Sequence, residues 1–215
     1  MPLEARKVGF RYGDRWLFRN VDFRLEEGMR VGLVSPSGSG KSTLAKILAG
    51  HLKATEGVVL ADGKPLPRRG VSPVQLIYQH PEEAVNPRWR MKQVLAEAGI
   101  EGPAMSVIER MGIECMGIER MGIEPKWLER FPRELSGGEL QRFCIARSLC
   151  AGTRFLLADE ITAMLDVITQ AQIGELILRE AARRRLGLFV ITHNEALAQR
   201  LCTRIVRLED LSGNR

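Results

Sequence analysis

Between Arg30 and Thr43 an apolar run, RVGLV, gives way to SPSGSGKST, and the next residues carry the helical spacing of Leu44, Ile47 and Leu48. A buried strand that breaks into a Gly/Ser loop and re-forms as a helix suits a phosphate chain. Backbone N–H groups can approach an anion closely at Gly38 and Gly40, and the helix N-terminus adds a partial positive charge. Lys41 can reach the β and γ phosphates, and the Ser42 hydroxyl can ligate Mg2+. Ser37, Ser39 and Thr43 belong to the same cradle. The first position of this motif is normally glycine and is Ser35 here, so backbone strain is expected at the exit from the strand.

Two further stretches carry chemistry. FLLADE, Phe155 to Glu160, reads as an apolar strand ending in adjacent carboxylates. Neighbouring strand residues point to opposite faces, so the two acids should differ in role. Asp159 would hold Mg2+, directly or through water, and Glu160 would face an attacking water as general base. LSGGELQRFCIARSL, Leu135 to Leu149, places Ser136 three residues before Glu139, the spacing of a capping box at a helix start. Gly137 and Gly138 leave that first turn bare, which costs helix stability and suits close approach to a phosphate.

The elements around these motifs alternate. Short strands are expected at Val8–Tyr12 and Val21–Leu25, then at Arg30–Val34, Val58–Leu60 and Leu76–Tyr78. A mostly helical stretch from Met91 to about Arg130 follows, broken by Gly99, Gly102 and Pro103. After it come a helix from Ser136, a strand Arg154–Ala158, a helix Val167–Arg184, a strand Leu186–Thr192, a helix Glu195–Leu201 and a strand Arg204–Leu208. Strands alternating with helices imply a mainly parallel sheet.

Composition sets the bounds. The chain has 215 residues, 45% hydrophobic and 27% charged, with room for a real core. Its apolar runs fall far short of the roughly 20 residues of a membrane helix. The opening MPLEARKVGF lacks an apolar stretch of signal-peptide length, which argues against secretion. Cys115, Cys144, Cys150 and Cys202 form no CxxC pair and no zinc spacing, and are expected as reduced thiols. A net charge of +6 fits a solvated basic surface, and it also fits an anionic partner such as a nucleotide, nucleic acid or lipid surface.

LSGGE, with a phosphate loop upstream and a strand ending in DE downstream, resembles the nucleotide-binding subunit of ABC transporters, and the resemblance covers essentially the whole chain. It implies an α/β P-loop NTPase fold with an antiparallel β edge and an inserted helical subdomain. The implied organisation is one ATPase domain, 1–215, with its core in 1–80 and 151–215 and the helical subdomain at about 81–150. The implied ligands are ATP and Mg2+. Tyr12, in FRYGD, stands where the family stacks an aromatic ring on adenine. Gln79, in LIYQH, stands at the glutamine that contacts Mg2+ and water and senses the permease. His193, in VITHN, stands at the histidine that holds the γ-phosphate and orients water. The segment between subunits, normally close to SALD after DEPT, is ITAMLD here. It keeps Asp166 but carries Ile161, Ala163 and Met164 for the family's proline, serine and alanine.

QHPEEAVNPRWRM and DEITAMLDVITQAQI look like the branch that imports oligopeptides, dipeptides or nickel. The resemblance therefore implies an ATP-hydrolysing importer subunit on the cytoplasmic face of the membrane, energising uptake of a peptide or a nickel or other metal chelate. Its partners would be separate permease subunits, a second ATPase subunit packed head to tail, and indirectly an extracytoplasmic solute-binding protein. In the dimer, Ser136, Gly137 and Gly138 of one subunit would face the phosphate loop of the other. The alternative is a soluble ABC-type ATPase acting on nucleic acid or the ribosome. Such relatives carry a long coiled coil, or two cassettes in one chain; the sequence shows neither, so no nucleic-acid partner is expected. A partner that no longer hydrolyses nucleotide is disfavoured by Glu160 and His193.

One stretch stands outside these motifs. MGIECMGIERMGIE, Met111 to Glu124, repeats a short phrase every five residues, far below the roughly 20 to 50 of a structural repeat. Deleting Glu109 to Ile118 restores a continuous reading, SVIERMGIEPKWLERFPRELSGGE, so a ten-residue tandem duplication explains the excess. Within a helix it would rotate the face by about 1000°, roughly 80° short of whole turns. Gly112, Gly117 and Gly122 would instead let the extra copy bulge as a loop.

Overall fold

The computed structural model describes residues 2–97, 120–149, 152–163 and 165–212. Two sheets carry the fold. β1 (Pro2–Tyr12) and β2 (Arg15–Glu26) form an antiparallel hairpin, extended by β4 (Glu56–Ala61) and the short β5 (Lys64–Pro65) in the order β2-β1-β4-β5. The second sheet, wholly parallel, runs β6 (Val74–Ile77), β7 (Phe155–Asp159), β8 (Gly187–Ile191), β3 (Arg30–Leu33), β9 (Arg204–Val206). β7 and β8 are buried at every residue, which is why they read as unbroken apolar runs rather than alternating ones.

Helices flank the parallel sheet. α1 (Lys41–Leu48) packs between the two sheets with Leu44, Ala45, Ile47 and Leu48 buried, and Phe23 of β2 meets Phe189 of β8 at 4.7 Å between ring centres. A second apolar cluster gathers α2 (Met91–Ala96), α3 (Gly137–Ser148) and α4 (Val167–Arg184). α5 (Glu195–Leu201) precedes β9, and α6 (Leu208–Leu211), unforeseen from the sequence, follows it.

Several expectations need correcting. The first hairpin is longer than the two short strands foreseen, because its alternation is broken where Lys7 takes φ +52° and the register shifts between Ala5 and Val8. Of the mostly helical stretch foreseen from Met91 to about Arg130, the described residues show α2, a helical Arg120 and a 3-10 turn at Pro125–Glu129, and the part between 98 and 119 lies outside the described residues. The duplicated phrase lies outside the described residues up to Glu119. Its last copy is core: Met121 and Ile123 are buried, and Gly122 has φ +63° with the Arg142 guanidinium close against it. Arg142 Nη1 donates to the Met121 carbonyl at 3.0 Å.

Candidate active site

In an open parallel sheet, ligands bind beyond the carboxyl ends of the strands, where the loops diverge. Four loops of interest leave that edge here. β3 runs into the Ser35–Gly40 loop, β6 leads through Tyr78 to Gln79, β7 ends at Asp159 and is followed by Glu160, and β8 leads to His193. A cleft of about 430 Å³ is lined by Tyr12, Ser37, Gly38, Lys41, Gln79 and Glu160, with Leu17, Gly40, Ser42 and Thr43 also on its wall.

The phosphate loop is shaped by two glycines at positive φ, Gly38 (+79°) and Gly40 (+101°). Gly40 is needed twice over, since a Cβ there would lie 2.8 Å from Leu17. Lys41 opens α1 and is buried. Its ammonium donates to the Ser35 carbonyl at 2.7 Å and the Pro36 carbonyl at 2.9 Å. A lysine has three such donors, so one remains for an anionic oxygen. The buried Ser39 Oγ has no protein partner. An orphaned hydroxyl in a glycine-shaped loop over a helix N-terminus fits a polyphosphate.

Ser42 donates from Oγ to Asp159 Oδ1 at 3.1 Å, across 117 residues of chain. Burial pushes the Asp159 carboxyl above the usual carboxylate range, the Ser42 bond opposes this, and the neighbouring Glu160 charge adds to it. Ser42 and the Gln79 amide line the cleft, and Asp159 reaches it through Ser42; these oxygen donors from different elements suit a small divalent cation. The two acids do differ in placement, though not through strand alternation. Asp159 is the last residue of β7, whereas Glu160 has left the strand at φ +46°, a region few side chains adopt. Its amide donates to Ile191 O at 2.9 Å, which fixes it to the end of β8. There the Glu160 carboxylate lies 3.5 Å from His193 Nδ1. Glu160 also lines a smaller recess with Thr162, Gln170 and His193, so one carboxylate is the wall between the two spaces.

Tyr12 is 63% exposed at the cleft mouth, its ring edge-on to Phe10 at 4.9 Å. Gln79 is shared between the main cleft and a recess of about 70 Å³ that contains Gly137, Gln141 and Ile161. His80 is half-buried, with Nδ1 3.4 Å from Glu82. At α3 the capping box forms as its spacing suggests: Ser136 Oγ accepts from Glu139 N at 3.3 Å, and Glu139 Oε2 accepts from Ser136 N at 2.9 Å. Gly138 packs so near α4 that a Cβ would lie 2.7 Å from Thr169 Cγ2, whereas at Gly137 the nearest atom would be 3.6 Å away. Asp166 caps α4, accepting from Ile168 N and Thr169 N at 3.0 Å and from Thr169 Oγ1 at 2.6 Å. Ser136, Gly137, Gly138 and Asp166 are thus not on the wall of the main cleft.

Leu17 is the cleft residue the sequence reading missed. Nothing in its spacing sets it apart from other hairpin residues, and only the seat it makes against Gly40 shows its place. Ser35 carries no positive φ, so the strain expected there is not found; its backbone is one that any residue can adopt.

The ABC transporter family model matches residues 18–163. The nickel import ATP-binding protein NikE of Rhodospirillum rubrum is 33% identical, over 86% of this chain and 70% of its own length. A nickel import system ATP-binding protein NikE of Staphylococcus aureus is 32% identical, over 97% of this chain and 87% of its own. Among solved structures, the dimeric ATP-binding cassette MJ0796 in a post-hydrolysis state bound to ADP and Pi superposes with a TM-score of 0.81 at 28% identity, covering 99% of this chain and 97% of that one. Motifs, sheet order and relatives agree, and the chain belongs to the ABC transporter family as one of its ATPase cassettes.

Proposed function

We propose that this chain is the importer ATPase subunit whose hydrolysis drives uptake of a small solute, a peptide or a nickel or other metal chelate, through a separate membrane permease. The observation that carries the reading is the meeting of three pairs at one sheet edge: Lys41 with its loop carbonyls, Ser42 with Asp159, and Glu160 with His193. Lys41 and the amides of Ser37 to Thr43 bind the phosphates, and Tyr12 supports adenine. Ser42, Asp159 and Gln79 would hold Mg2+, which would neutralise charge on the phosphate oxygens. Glu160 takes the proton of the attacking water, and His193, with Nδ1 3.5 Å from that carboxylate, holds the γ-phosphate and orients the water.

The solute class rests on the names of the relatives and on the QHPEEAVNPRWRM and VITQAQI stretches. The working form is a head-to-tail dimer in which Ser136, Gly137, Gly138 and Asp166 face the partner's phosphate loop. Their position away from this chain's own cleft supports that role. The segment at about 81–150 serves as the helical arm of a single ATPase domain and docks on the permease at the cytoplasmic face. Among the described residues no helix is long and apolar enough to cross a membrane, in keeping with a separate permease. Titration with Mg-ATP tests the core of the reading: the parent chain binds, and Lys41→Ala largely abolishes binding. Equal affinity in both proteins would remove the assignment.

A further inference from the structure

Ser35 departs from the glycine usual at the head of the phosphate loop, and the structure gives its side chain a partner. Ser35 is buried, and its Oγ accepts from the backbone N–H of Leu208 at 2.9 Å, across 173 residues of chain. Leu208 opens α6, so its amide is one of the first-turn donors that no intrahelical carbonyl can satisfy. The bond continues the β3/β9 ladder. Val34 N donates to Val206 O at 3.0 Å, and the next link runs the other way, from Leu208 to the hydroxyl. The same residue's carbonyl accepts from the Lys41 ammonium at 2.7 Å.

We propose that Ser35 is a positioning residue for the phosphate-facing lysine, its hydroxyl seated on α6 fixing the carbonyl that holds Lys41. This rests on the reading of the cleft as a nucleotide site. Hydroxyl and carbonyl belong to one residue, a few covalent bonds apart, so anchoring the first at Leu208 restricts the rotation that aims the second. The Ser35 and Pro36 carbonyls take two ammonium protons, and together they set the direction of the third. A glycine at 35 would free the backbone torsions and leave the Leu208 amide without this acceptor. α6 and the edge strand β9 thereby become part of the phosphate site without touching ligand.

The experiment is calorimetric titration of the full chain with MgADP, well below the melting temperature of each variant, for the parent, Ser35→Ala and Ser35→Gly. Glycine is the residue the motif normally carries, so that variant guards against a simple folding failure. The expected result is binding about tenfold weaker in both variants with an unchanged number of sites per chain. A merely structural hydroxyl would lower the melting temperature, or the fraction of competent sites, and leave the affinity of those sites as it was. Unchanged affinity in Ser35→Ala and Ser35→Gly therefore overturns the proposal, whatever their melting temperatures. If the parent itself fails to bind MgADP, the nucleotide reading falls, and this inference falls with it. If the parent binds and the variants bind equally well, only the inference fails.

Discussion

Gly138→Ala offers a test in which geometry alone decides the sign. The added Cβ would sit 2.7 Å from Thr169 Cγ2, inside any real contact distance. Thr169 cannot turn aside freely, because rotating its methyl away would also swing Oγ1 off Asp166 Oδ2, to which it donates at 2.6 Å. Overpacking of this kind costs about 1–3 kcal/mol. Replacing a helical glycine by alanine returns roughly 0.5–1 kcal/mol, so the net loss should be about 0–2.5 kcal/mol. For a chain of this size that is a fall in Tm of up to about 10 °C. Gly137→Ala is the control: its Cβ would meet only Leu165 Cδ2 at 3.6 Å, an ordinary contact, and should leave Tm unchanged or slightly raised. Thr169→Ser removes the obstructing methyl, keeps the hydroxyl, and costs at most about 0.8 kcal/mol. Added to Gly138→Ala it should return Tm to within about 2 °C of Thr169→Ser alone. The assay is thermal unfolding without nucleotide, so no role of this segment in catalysis enters. If the double variant loses the sum of the two single losses, or if both alanines behave alike, the packing account is wrong.

Asp166→Ala should lower Tm at neutral pH by stripping three bonds from the start of α4. The Thr169 side-chain and backbone donors hold the Asp166 carboxyl below its ordinary range, so its contribution is present above that range and is lost as pH falls through the lowered value; the Tm gap between variant and parent should close in acid. Glu160→Gln should bind ATP but hydrolyse it far more slowly, and sizing chromatography with ATP should show it as the more dimeric protein; turnover at the parent rate would refute the general-base role. Deleting Glu109 to Ile118 should leave folding intact, with basal ATPase activity within a few-fold of the parent when its ATPase partner is present, because loop-closure entropy changes by only about 0.6 kcal/mol per doubling of length. A deletion variant that fails to fold would show that the extra copy is structural.

What could be read from the sequence was whatever local chemistry dictates. The turn into α1 needed Gly38 and Gly40, the start of α3 needed Ser136 with Glu139, and β7 and β8 had to be apolar on both faces. The bounds of α4 were foreseen to the residue, and α5 was foreseen near its place. What could not be read depended on partners far along the chain. Leu17 matters through Gly40, Ser35 through Leu208, and Gly138 through Thr169, and no spacing rule links those pairs. The two acids of FLLADE were expected to part by strand alternation. They part because Glu160 turns into a positive φ after β7 ends, with its amide bonded to a β8 carbonyl.

The parallel ladder also bears on heredity. Asp159 pairs with Ile191, and Ile191 pairs in turn with Leu33, so three strand ends are held in a single register. One codon inserted into β8 would move His193 about 3.3 Å along the strand and turn it to the opposite face, away from Glu160. Copying errors that add length are therefore filtered by address. They break the site within the ladder, whereas the ten-residue duplication read in the sequence, Glu109 to Ile118, falls in chain order between β6 and β7.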